Sequence, residues 1–265
     1  MNAIELKQKW QRGEVSPGLW LRLTDPTIAE MLSPIGLDWV LYDAEHAAFD
    51  MQTLQMLFIA LNGSPSVPLI RVPGNDPIFI KRVLDIGMAG VLVPNVRSAE
   101  EVRLAVAACK YAPVGIRGTG PRRPGRYGDQ EVEYLAVANE QTIVMVMIET
   151  IDAVRDIDRI LAVPGLDGIV IGKVDLSATM GLLPQYNHPD VLAAVDLVLN
   201  KAKATPVARF SGRAPDPFAD VAQSVRDAIR EGYNVIPIGS DDGFIKDGTK
   251  AALNAFRSVV PAGSE

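Results

Sequence analysis

The chain has 265 residues, 48% of them hydrophobic and 22% charged, a net charge of −6 and a pI near 5.1. It is long enough for one large domain or two small ones and apolar enough for a substantial core, and its acidic balance argues against a nucleic-acid partner. A single cysteine, Cys109, leaves no internal disulfide framework. With no signal-peptide core in MNAIELKQKWQRGEV and no apolar run long enough to span a membrane, it is expected in a reducing cytoplasm.

In chain order, GLWLRL (18–23) reads as a strand and DPTIAEML (25–32) as the start of a helix, with Asp25 as cap and Pro26 at the first helical position. DWVLYD (38–43) precedes DMQTLQMLFIALNG, which Gly63 ends, and PLIRV (68–72) precedes DPIFIKRVLDIG (76–87). GVLVPN (90–95) leads into SAEEVRLAVAACKYA (98–112), opened by a Ser-x-x-Glu capping box. TIVMVMIE (142–149) leads into IDAVRDIDRILAV, and LDGIVIG (166–172) into a helix beginning near HPDVLAAV. PVARF (206–210) leads into PFADVAQSVRDAIREG, and NVIPIG (234–239) into DGTKAALNAFRSV.

These strands are short, apolar and mostly unalternating, as strands buried on both faces are. Eight strand–helix pairs imply parallel strands joined by helical crossovers. Their even spacing favours a closed (β/α)8 TIM barrel over a doubly wound open sheet. The whole chain, 1–265, is expected to be that one domain. Residues 113–140, PVGIRGTGPRRPGRYGDQEVEYLAVANE, interrupt the rhythm and read as a long irregular loop, functional or disordered.

Barrel enzymes place their chemistry at the carboxyl ends of the strands. There the chain sets Asp43, Glu45 and His46 after strand two, Arg71 in strand three, Asn95 after strand four and Glu149 after strand five. Lys173 and Asp175 follow strand six, and Ser240 and Asp241 end strand eight. Two carboxylates at one mouth, Glu149 and Asp175, suit a hard divalent cation; in the competing reading Asp175 caps a turn, DLSATMG, and Glu149 caps the helix that follows it. His46 follows two acids, either of which can orient it as a base or simply satisfy it. Arg71, a fixed charge in an apolar strand, calls for an anion at the mouth. His188, before a proline at a helix start, reads as a cap.

Together DWVLYDAEHAAFD, IRVPGNDPIFIKRVLDIGMAGVLVPNV, YAPVGIRGTGPRRPGRYG, MIET and GLDGIVIGKVDLSATMG resemble the HpcH/HpaI aldolases over nearly the whole chain. That resemblance implies a phosphoenolpyruvate/pyruvate-type barrel and a class II, metal-dependent pyruvate aldolase. Its reaction would cleave a 4-hydroxy-2-oxo acid, such as a 2-keto-3-deoxy sugar acid, reversibly to pyruvate and an aldehyde. The resemblance implies Glu149 and Asp175 as ligands of Mg2+, Mn2+ or Co2+, Arg71 as the donor to the enolate, and His46 supported by Asp43 as the base. It implies backbone N–H groups at the turn of Gly172, Val174 and Asp175 for the substrate carboxylate. Arg122 and Arg123 would lie on a rim loop, with Arg126, and contact the distal end of the substrate. A homo-oligomer, hexamer or trimer, exchanging its C-terminal helix, is also implied.

Three features depart from the family pattern. Lys173 and Val174 stand where relatives carry Pro-Ala, Met147 stands where a glutamine is common, and ARFSGRAPDPFAD around strand seven fits poorly. A Schiff-base lysine at 173, a thioester lyase of the citrate or malyl-CoA kind, a decarboxylase using the same enolate, and a non-enzymatic binding barrel are the alternatives.

Overall fold

The structure, a computed structural model, describes residues 1–212 and 221–259. Its eight strands are β1 (Ser16–Leu21), β2 (Trp39–Asp43), β3 (Val67–Arg71), β4 (Gly90–Val93), β5 (Ile143–Ile148), β6 (Gly168–Ile171), β7 (Ala208–Phe210) and β8 (Val235–Ser240). They close in sequence order into an all-parallel barrel, with β1 pairing to both β2 and β8. All eight strands expected from the sequence are present.

Side chains alternate along a strand, and that period decides what each run contributes. Trp39, Leu41, Leu69, Leu92, Met145, Met147 and Phe210 belong to the cluster inside the barrel. Val40, Tyr42, Ile70, Val91, Val144 and Val146 pack outward with the helices. The same alternation carries Asp43 onto the face of Trp39 and Leu41, and Arg71 onto the face of Leu69. The register sets Asp43 directly beside Arg71. Charged groups thus reach the barrel axis only in its uppermost layer.

Helices α1 (Ala3–Gln11), α2 (Pro26–Leu32), α3 (Met51–Ala60), α4 (Pro77–Asp85), α5 (Ala99–Cys109) and α6 (Glu131–Gln141) belong to the first half. The second half adds α7 (Ile151–Arg155), α8 (Ile157–Leu161), α9 (Lys173–Thr179), α10 (Pro189–Ala202), α11 (Val221–Glu231) and α12 (Asp241–Val259). The Asp-Pro starts behave as read: Asp25 accepts from the Thr27 N–H and Asp76 from the Ile78 N–H. His188 caps α10. Helix α1 closes the end of the barrel where the strands begin. Its Leu6 and Trp10 join the interior cluster, Trp10 standing edge-on to Phe210 with centroids 5.1 Å apart.

Three helices go beyond the sequence pattern. Helix α9 is a single short segment inside a stretch that reads as a turn, and α1 lies in the polar N-terminal stretch. Helix α6 occupies the second half of the interval 113–140 and buries only Ala138, so it lacks the apolar stripe that marks a helix. The helix expected after β5 divides into α7 and α8. Of the expected 217–232 helix and of ARFSGRAPDPFAD, residues 213–220 lie outside the described residues.

Close packing in the barrel leaves no room at Gly18 on β1. A Cβ there would stand 2.1 Å from the Trp39 ring. Gly18→Ala is expected to destabilise the fold by about 3 kcal/mol or more, read from the midpoint of chemical unfolding. A loss below about 1 kcal/mol would contradict this packing.

Candidate active site

The layer above Trp39 and Leu69 is built around one guanidinium. Arg71 donates from Nε to Asp43 Oδ1 at 2.9 Å and from Nη2 to Asp43 Oδ2 at 2.6 Å. This fork holds the side chain in one orientation. Nη1 lies 3.1 Å from Glu45 Oε2 and makes a weak 3.7 Å contact to Met147 Sδ. The guanidinium also lies over the Trp20 ring, 4.9 Å from its centroid. Asp43 is fully buried. Burial raises its carboxyl, but the hydrogen bonds and charge of Arg71, the His46 N–H and Arg22 outweigh that and hold it below the ordinary range.

Glu149 follows β5 by one residue and is buried. Its Oε1 accepts the Asn95 backbone N–H at 2.7 Å. Asn95 adopts φ 57°, a left-handed conformation that asparagine tolerates better than most residues. The Glu149 Oε2 faces Gly172, where any Cβ would approach to 2.6 Å. Burial above all, with the charges of Asp175 and Glu45, pushes the Glu149 carboxyl up to about 7 against the Asn95 hydrogen bond and the Arg71 charge. Burial also raises Glu45, with Arg71 opposing. Glu149, Glu45 and Asp175 therefore make one electronegative pocket beside Arg71.

Sequence reasoning identified most of these groups but not their pairings. The His46 ring stands 3.7 Å from Glu45 Oε2, while Asp43 takes the His46 backbone N–H at 3.3 Å. Glu45, not Asp43, is the acid beside the imidazole, because Asp43 is occupied by Arg71. His46 is largely exposed at the mouth, 66% by side chain. Gly172, the cap of α9, and Val174 and Asp175 in its first turn line the same cavity as His46, Arg71 and Met147. Asp241 proves to be a structural tie: its carboxylate accepts the backbone N–H groups of Arg22 and Leu23 and joins the ends of β8 and β1.

Arg122 and Arg123 are not at this mouth. Residues 113–130 cross the opposite end of the barrel, where α3 and α4 finish. The Arg123 N–H bonds Asp85 O, its guanidinium lies 4.4 Å over Phe58, and Arg117 pairs with Asp85 at 2.6 Å. Arg122 lies near Tyr127 of the same loop. Within one chain, neither arginine reaches the catalytic cavity. The sequence shows that this loop is basic, but not which end of the barrel it covers.

One mouth residue escaped the sequence reading. Arg22, just past β1, lies 3.4 Å from Asp43 Oδ2 and 3.6 Å from Asp242 Oδ1. Its signal was the one that marked Arg71: an arginine ending an apolar strand, in phase with interior Gly18 and Trp20.

Among the described residues, no group of three or more His, Cys, Asp or Glu forms a complete metal cage. Glu149 and Asp175 nevertheless fit a hard cation. They are oxygen donors, one is buried and raised by its acidic neighbours, and Gly172 leaves Glu149 Oε2 uncovered. Two carboxylates suit an ion of the Mg2+ kind, which keeps other positions for water or substrate.

A family model described as HpcH/HpaI aldolase/citrate lyase matches residues 17–247. A 5-keto-4-deoxy-D-glucarate aldolase of Escherichia coli (strain K12) is 36% identical over 244 residues, 92% of this chain and 93% of its own. The crystal structure of an HpcH/HpaI aldolase from Desulfitobacterium hafniense DCB-2 superposes with TM-score 0.85 at 30% identity, covering 98% of this chain and 99% of that one. A citrate lyase beta subunit from M. tuberculosis, complexed with oxaloacetate and magnesium, shares the fold at TM-score 0.55 and 19% identity, over 86% of this chain and 92% of its own.

Proposed function

The chain belongs to the HpcH/HpaI aldolase/citrate lyase family, and from that premise we propose that it is a class II pyruvate aldolase. It cleaves a 4-hydroxy-2-oxo acid, of the keto-deoxy sugar acid kind, reversibly to pyruvate and an aldehyde. The observation that carries this reading is the pair Glu149 and Arg71. The Oε2 of the buried Glu149 carboxylate lies against Gly172, which lines the same cavity as a guanidinium locked by Asp43.

Glu149 and Asp175 would hold a divalent cation, Mg2+, Mn2+ or Co2+, which when bound would supply Lewis acidity toward the 2-keto group. Arg71 supports the same oxygen. Its fork is fixed in advance by Asp43, so no reorganisation is needed as charge develops. The weak sulfur contact of Nη1 is the one a substrate oxygen most easily replaces. As the C3–C4 bond breaks, His46 takes the proton from the C4 hydroxyl, the bond electrons pass into the enolate beside Arg71, and C4 leaves as the aldehyde. Protonation at C3 then gives pyruvate. The first N–H groups of α9, at Val174 and Asp175, lack intrahelical acceptors and are left for the substrate carboxylate.

Pyruvate methyl protons are expected to exchange with heavy water when Mg2+, Mn2+ or Co2+ is present, and to stop exchanging in excess chelator, as followed by proton NMR. No exchange with any of the three metals would sink the aldolase reading.

We infer further that the protein is a homo-oligomer, a hexamer or trimer, of the cytoplasm. Leu253, Phe256 and Val259 of α12 recur every third residue on an exposed helix end. No helix among the described residues is long and apolar enough to cross a membrane. A second copy receiving that end is the expected cover. Sedimentation of the full chain at a monomer's mass would overturn this.

A further inference from the structure

We propose that Asn62 is a deamidation site, and that the carboxylate formed there becomes the missing partner of Arg123 in the basic loop. Both residues lie away from the barrel mouth, outside the site assigned to the aldolase reaction. Asn62 and Gly63 sit in the turn between α3 and β3, and both are exposed. Gly63 has φ +83°, a conformation that glycine adopts without strain. The bonds that hold this turn are made on either side of the Gly63 nitrogen. The Asn62 N–H donates to Ile59 O at 3.0 Å and the Ser64 N–H to Leu61 O at 2.9 Å. The Gly63 N–H between them has no hydrogen-bond partner among the described residues. A Cβ at Gly63 would meet nothing within 4 Å. The nitrogen that must attack the Asn62 side chain is therefore neither tied up nor crowded.

The second observation is the guanidinium beside it. Arg123 is half-buried, lies 4.4 Å over the Phe58 ring and is fixed through its backbone N–H to Asp85 O. The carboxylate of Asp85 belongs to Arg117, at 2.6 Å. Arg123 has no ion pair among the described residues, and its side-chain hydrogen bond there runs from Nη2 to Asn62 Oδ1 at 3.5 Å. Burial draws its pKa below the ordinary guanidinium value. A partly desolvated cation facing a neutral amide oxygen is poorly compensated, whereas a carboxylate in that place makes a charge-assisted bond. The same guanidinium faces the oxygen on which negative charge develops during the attack.

The Gly63 nitrogen gives up its proton to solvent base and bonds to Asn62 Cγ. The Cγ–Nδ2 bond then breaks, and the side-chain nitrogen takes up a proton and leaves as ammonia. Water opens the cyclic imide at either carbonyl, leaving aspartate or isoaspartate at position 62. Water is the only co-reactant, and nothing is oxidised or reduced. The outcome is one new negative charge beside Arg123.

The test incubates the full chain in mildly alkaline buffer at body temperature and follows the amide-to-carboxylate mass increase by peptide mass spectrometry. Conversion at Asn62 is expected to run severalfold faster than at Asn75 and Asn200, which are also exposed but are followed by aspartate and lysine. Arg123→Met should slow it severalfold, as for loss of a donor to a developing oxyanion, and Arg123→Lys should slow it less. Asn62→Asp forms the product directly. It should raise the midpoint of thermal unfolding by about 1–3 °C through the new pair. That gain should vanish when Asn62→Asp is combined with Arg123→Met. Conversion at Asn62 no faster than at Asn75 and Asn200 overturns the proposal. So does an unchanged rate in Arg123→Met, or a gain from Asn62→Asp that is absent or survives the loss of Arg123.

Discussion

Glu149→Gln is expected to lower metal-dependent cleavage by about a thousandfold or more, the scale of losing a Lewis acid from the reacting oxygen. The amide preserves the shape of the side chain and can still accept the Asn95 N–H through its own oxygen. What it removes is charge. In metal-free buffer the variant should melt no lower than wild type, because the native carboxyl is buried against Asp175 and Glu45 and already resists ionisation. Isothermal titration with Mn2+ supplies the second readout, with affinity expected to fall alongside activity. A Gln variant that binds Mn2+ normally yet is inactive would remove Glu149 from the ligand set and give it another role.

Arg71→Ala carries two large effects that can be separated. Turnover should fall by about a hundredfold to a thousandfold, as for loss of a preorganised donor to a developing oxyanion. Stability should fall as well, by about 3–5 kcal/mol, because Asp43 is left fully buried with no partner but the His46 N–H at 3.3 Å and the Arg22 contact at 3.4 Å. The double variant Arg71→Met with Asp43→Leu removes both charges and should recover much of the stability while staying inactive. Recovery of turnover in the double variant would mean that Arg71 acts only as scaffold. Arg71→Lys tests the fork: a lysine keeps the charge but cannot bond both oxygens of Asp43 in parallel.

What the sequence revealed of this architecture follows from physics that is local along the chain. Each strand is an apolar run bounded by turn residues, so β1 to β8 were legible, and so were the Asp-Pro helix starts. Helix α6 was hidden because it rests one alanine on the core and shows no stripe, and α9 because it is only seven residues long. At the site, residue types were legible but partners were not. That Asp43 serves Arg71, leaving Glu45 for His46, depends on the register between β2 and β3, which no local pattern encodes. Arg122 and Arg123 show the same limit: a basic loop after α5 can fold toward either end of a barrel, and its contacts with Asp85 and Phe58 draw it away from the mouth.

The pairing of β1 with β8 also governs how the chain is made. Ser16 meets Val235, a partner that leaves the ribosome 219 residues later. At about 5–20 residues per second, the first strand waits roughly ten to forty seconds for its neighbour. Throughout that time the growing sheet has two open edges, the exposed N–H and C=O rows that invite pairing with another nascent chain. The ring has no closed intermediate, so the cell carries that hazard on every molecule until the last strand arrives.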